Sequence, residues 1–160
     1  MARKKPTPLI DAVRTGDAAK VETALQSGAS LSEKDGLGRD PLAHAVMNRS
    51  ENITRLLLNA GSSLEAVDQN GWTALHYAAQ VWSPVLVRLL VSAGASVGAR
   101  DKYGNTPLSR AVFVSNGRGE VIEALLSLGA DPDAKNDSGV SPRILADTIA
   151  NYDVKQFMPH

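Results

Sequence analysis

"GWTALHYAAQ", residues 71–80, decides how this chain is read. A tryptophan follows a glycine and stands directly before a run of small, apolar, helix-forming residues. The pattern recurs as "GRDPLAHAV" from 38, "GNTPLSRAV" from 104 and "GVSPRILAD" from 139, and "TPLIDAV" from 7 aligns with the same helix start. The leading glycines Gly38, Gly71, Gly104 and Gly139 step by 33, 33 and 35, and a second ladder of Gly28, Gly61, Gly94 and Gly129 takes the same steps. Self-similarity at a fixed period of this length marks stacked repeats. Both ladders carry the same two-residue insertion, which must lie between Gly104 and Gly129; the turn-forming "SNGRG" at 115–119 is its place.

Each unit can be built from its residues. Asp35, Asp68, Asp101 and Asn136 precede a ladder glycine by three, a turn spacing that predicts a tight hairpin. Thr73, Thr106 and Ser141 then offer a hydroxyl to the free amides of a helix start, with Pro107 and Pro142 at the first helical position, where no N–H is needed. Small residues such as Ala78 and Ala79 let a second helix come close. That helix shows apolar residues at helical spacing: Ile53, Leu56 and Leu57; Leu86, Leu89 and Leu90; Val121, Ile122, Leu125 and Leu126. It stops at Gly61, Gly94 or Gly129, the left-handed cap.

Two short helices and a turn cannot enclose their own apolar face, so stability must come from stacking one unit on the next. The ends should be polar outward. Arg143 and Asp147 fit, standing where other units have Leu75 or Leu108 and Ala79 or Val112, and "NYDVKQFM" reads as a curtailed second helix.

The period, the "TPL" helix start, "TALHYAA" and the "GA(D/S)" segment together resemble the ankyrin repeat, over residues 7 to about 157. The resemblance implies an all-α solenoid of helix-turn-helix units with β-hairpin loops, in a single domain over residues 1–160. About four full repeats (5–34, 35–67, 68–100, 101–135) precede a truncated C-terminal capping repeat (136–157). It implies a binding platform without catalysis, metal or cofactor. In it His76 occupies a position where an imidazole braces the hairpin to its neighbour. The departures are Asp40 for the helix-start threonine, Ala43 for the histidine, Trp82 where a small residue separates the helices, and the insertion. From register, Trp82 either plugs the groove between the third and fourth units or extends the concave patch.

Composition narrows the function. Seventeen basic and 17 acidic side chains give a net charge of zero, so no field holds the chain against nucleic acid or an anionic membrane. Without cysteine there is no disulfide and no thiolate zinc site, which suits a reducing compartment. No apolar run approaches a membrane span, and none follows the basic Arg3-Lys4-Lys5 as a signal peptide requires. The expected location is the cytoplasm, with a nuclear address as the alternative reading of that basic run. Asp35, Asp68 and Asp101 recur once per unit as turn residues, unlike a close acid/base pair, and the Gly-x-Gly stretches at 36 and 117 do not open a βαβ unit. His44 and His76 read as packing histidines.

In such a stack the hairpin tips and the end of each first helix line one concave face. Those places hold Leu37, Arg39, Trp72, Tyr103 and Asn105 on the hairpin row, and Met47, Gln80, Val81, Phe113 and Val114 on the helix row. The scaffold needs no aromatic there, so Trp72 reads as an exposed contact residue. The competing reading lays Trp72 flat over neighbouring hairpins and packs Phe113 beneath the insertion. The expected partner is another protein, met by a chain that is monomeric alone and acts as adaptor, regulator or inhibitor. The alternative is an immunity-type protein neutralising a toxin or enzyme, and an enzyme with an unrecognised site ranks below both.

Overall fold

The computed structural model describes residues 8–149 and 153–159. The Arg3-Lys4-Lys5 run, Thr7, Asn151, Tyr152 and His160 lie outside them. Among the described residues the helices come in pairs: α1 (Pro8–Thr15) with α2 (Ala18–Gln26), α3 (Pro41–Met47) with α4 (Glu51–Asn59), α5 (Ala74–Gln80) with α6 (Pro84–Ser92), and α7 (Pro107–Val114) with α8 (Glu120–Ser127). Among the described residues helix α9 (Pro142–Thr148) is followed only by a single 3-10 turn, Lys155–Phe157. The hairpins between pairs are hydrogen-bonded turns; no described residue lies in a strand.

Helices this short do not persist alone in water, and packing supplies what length does not. The inner helices stack in chain order, α1 on α3, α3 on α5, α5 on α7 and α7 on α9. Ala45, Ala78, Ala79 and Ala111 are fully buried along this line, where a larger side chain would hold the helices apart. The outer helices close the core with Ile53, Leu57, Leu86, Leu90, Val121, Ile122 and Leu125, all buried. Leu56, Leu89 and Leu126 are half-buried at its flank.

Local chemistry sets the helix ends. The hydroxyls of Thr106 and Ser141 accept from the amides of Ser109 and Ile144, both at 3.2 Å. Asp40 does the same for the Ala43 amide at 2.8 Å, so the aspartate that replaces threonine is a working cap. Burial pushes its carboxyl above the ordinary range, against the pull of the Ala43 amide.

The links within a pair differ. Residues 48–50 and 81–83 join their helices with three residues, and 115–119 take five, which locates the insertion. Arg49, Trp82 and Asn116 all sit in these links at positive φ, a conformation that is uncommon for side chains with a Cβ. Trp82 nevertheless is buried: Arg118 of the insertion lies 4.5 Å over its ring, and its Nε1 donates to Glu120 at 3.2 Å. It plugs the groove between the third and fourth pairs.

At the C-terminal end Arg143 and Asp147 turn outward, as their charge demands. Arg143 pairs with Asp133 at 2.7 Å and Asp147 with Lys155 at 3.1 Å. Val154 and Met158, flanking the 3-10 turn, bury what remains of the apolar face.

Candidate contact face

The hairpin row is built by one repeated device. Asp35 Oδ1 accepts the amides of Leu37 and Arg39 at 2.8 and 3.0 Å, and Asp68 Oδ1 those of Asn70 and Trp72 at 2.7 and 2.9 Å. Asp101 and Asn136 repeat it with Tyr103 and Asn105, and with Ser138 and Val140. Each folded tip then donates one backbone bond to the tip before it: Gln69 to Leu37 (3.1 Å), Lys102 to Asn70 (2.9 Å), Asp137 to Tyr103 (3.0 Å). The tips come so close that a Cβ on Gly71, at φ +76, would stand 2.7 Å from the Lys102 nitrogen. Glycine is required there by both its φ and its size.

Behind the tips, the first helices brace the row. His76 Nδ1 accepts from the Thr73 amide (3.2 Å) and faces the Thr73 hydroxyl (3.0 Å), which leaves Nε2–H to donate to the Asn105 carbonyl of the next hairpin at 3.1 Å. Burial lowers its pKa, so the ring stays neutral. One position on, Tyr77 donates its hydroxyl to Asp68, and burial followed by that bond pushes the phenol well up. His44, in the same register, meets Asp35 at 3.0 Å. Although burial opposes it, hydrogen bonds from Arg39 and the Leu37 amide hold the Asp35 carboxyl down to about 2. These carboxylates and imidazoles are committed to holding hairpins.

The expected contact residues divide into two groups. Leu37, Tyr103 and Phe113 are 53%, 59% and 63% exposed. Phe113 does not pack beneath the insertion. Others are engaged within the fold: Arg39 pairs with Asp35 at 2.7 Å and reaches Met47 Sδ at 3.8 Å, and Asn105 accepts from Asn136 at 2.8 Å. Val81 and Val114, at the ends of their helices, are half-buried, as is Met47. Trp72 corrects the sequence expectation. It is half-buried, stacked on His76 at 6.2 Å and edge-on to Tyr77 at 5.1 Å, with the Arg110 guanidinium 4.7 Å over its ring. It seals the hairpin to the helices, and Arg110 of the next pair covers its outer face.

Arg110 itself is the residue that sequence reasoning missed. Its Nε donates to Gln80 at 2.5 Å, and its guanidinium lies between Trp72 and Phe113, 5.3 Å from the latter. The signal was the column His44, Tyr77, Arg110, a polar run at one helical position that ends in Leu145. Beside Arg110 a cleft of about 390 Å³ opens between α7, α9 and their hairpins, reaching from Phe113 to Asn136, Ser138 and Val140. It exists because Ser109 stands where His76 stands one unit earlier. The serine hydroxyl reaches only Thr106, at 3.2 Å, so Ser109 makes no counterpart of the bond from His76 to the following hairpin.

No helix among the described residues is long and apolar enough to cross a membrane. Comparison with known proteins matches residues 9–101 and 62–136 to the model for ankyrin repeats in three copies. The chain is also similar to an Arf-GAP with coiled-coil, ANK repeat and PH domain-containing protein 2 from Gallus gallus, 47% identical over 47 residues. That stretch is 29% of this chain and spans 6% of the chicken protein. With a period of 33, paired helices, glycine-tipped hairpins and a family match over most of its length, the chain belongs to the ankyrin repeat family.

Proposed function

We propose that this chain is a non-catalytic binding protein that holds one folded protein against its concave face, as an adaptor, regulator or inhibitor. Ankyrin repeats are in general modules for binding other proteins. The observation that carries the reading here is the pair of exposed aromatics, Phe113 at the mouth of the cleft and Tyr103 on a row of hairpins fixed by backbone bonds. Aromatic side chains on a rigid support bury large area at small entropic cost and dominate binding energy. The equal numbers of basic and acidic residues support a protein partner over nucleic acid. An inhibitor that occludes an enzyme or toxin is the narrower form of the same reading.

Affinity capture from the native cell tests it, with Tyr103→Ala and Phe113→Ala on the concave face and Val85→Ala, 51% exposed on α6, as the outer-face control. Loss of one prey in both concave variants, with retention by the control, supports the reading. Retention in all three removes it.

A further inference from the structure

Resting on that reading, we propose that Arg110 is the anchor of the concave face and that the bound protein inserts an aspartate or glutamate side chain against it. An arginine presents a planar fork of five donors that matches a carboxylate through two parallel bonds. Arg110 spends only Nε, on Gln80; among the described residues neither terminal nitrogen has a hydrogen-bond or ion-pair partner. The fork is already oriented, since Trp72 and Phe113 lie 4.7 and 5.3 Å from the guanidinium carbon and Gln80 fixes its rotation. Little side-chain entropy remains to be lost on binding.

The nearest carboxylate of its own unit, Asp101, favours its charge from a distance and forms no ion pair with it. Asp101 Oδ1 holds the Tyr103 and Asn105 amides, and Oδ2 accepts from the Asn105 side chain at 3.4 Å. The second unit shows the contrast, because there Arg39 closes directly on Asp35 at 2.7 Å and its charge is spent. Arg110 is instead half-buried at the head of an open cleft whose lining carries one other charge, that of Asp101, whose two oxygens already accept from Tyr103 and Asn105, beside the neutral Ser109, Asn136 and Ser138. A half-buried, partly desolvated cation beside an open volume is where a charge pair across an interface contributes most. Phe113, 63% exposed at the rim, suits an apolar residue next to the acidic one.

The probe is a library of random linear peptides displayed on phage and selected on the immobilised chain. The selected peptides should carry Asp or Glu beside an apolar residue. Replacing that acid by its amide, and separately Arg110→Gln in the protein, should each weaken binding about tenfold or more. Arg110→Lys should recover part of it, and the amide peptide tests the pair on the unaltered fold. Peptides that lose binding in Phe113→Ala but lack an acid and ignore Arg110→Gln would overturn the anchor while leaving the protein-binding face standing. Selection of no peptide sensitive to any concave variant would overturn both. Displacement by inorganic phosphate, but not by acetate at equal concentration, would reassign the fork to phosphate and overturn the proposal.

Discussion

The third and fourth units have the same hairpin, the same threonine cap and the same buried leucine, yet one is closed against its neighbour and the other is open. In the third, His76 spans from Thr73 to the Asn105 carbonyl, and Tyr77 ties its own hairpin through Asp68. In the fourth, Ser109 stops at Thr106, and Arg110 turns back to Gln80 and Trp72 of the unit before. The backbone bond between tips survives in both, Lys102 to Asn70 and Asp137 to Tyr103. What differs is the strut from the first helix to the following hairpin, and a cleft of about 390 Å³ lies where it is missing. A repeat scaffold can therefore open a cleft by omitting one brace while the backbone bond between neighbouring tips is kept.

If the difference lies only in the brace, matched truncations in the two cores should cost the same. Leu90→Ala and Leu125→Ala, both fully buried, should each lose about 2–5 kcal/mol in urea melts. A large disparity would place the difference in the apolar packing and break the comparison. His76→Ser, which gives the third unit the chemistry of the fourth, should cost about 1–3 kcal/mol, because it strands buried partners at Thr73 and Asn105. A value near zero would mean the imidazole braces nothing.

Acid should act on the closed unit in the same sense. His76 and His44 both have pKa values below the ordinary 6.5, chiefly because burial disfavours the charged ring. Their contribution is whole above 6.5 and is lost as pH falls toward the folded values, since the unfolded chain then takes up protons that the folded one refuses. Asp35, held to about 2 from 3.8, contributes to this loss only below that range. Melts between pH 7 and 5 should show falling stability, with a flatter profile for His76→Ser.

The fold was legible because backbone demands leave local marks. A left-handed φ calls for glycine, a free amide at a helix start calls for Thr, Ser or Asp, and the ladder of Gly38, Gly71, Gly104 and Gly139 records both in register. The hairpin row was legible to the same depth, as far as which residues form its tips. Trp72 was misread as exposed because its cover comes from Arg110, a residue of the next unit. The two places open to Trp82 could not be separated for a similar reason: Arg118 and Glu120, which bury it, belong to the insertion. Ser109 was visible, but the space it leaves depends on how far the following hairpin lies from it.

The most direct test restores the missing strut. Ser109→His places an imidazole three residues after Thr106, in the register of His76 after Thr73, with the Val140 carbonyl in the place of Asn105. The variant should be more stable by about 1 kcal/mol and should no longer bind the partner retained by the unaltered protein, because the cleft beside Arg110 is filled. Unchanged binding in a variant so stabilised would contradict this.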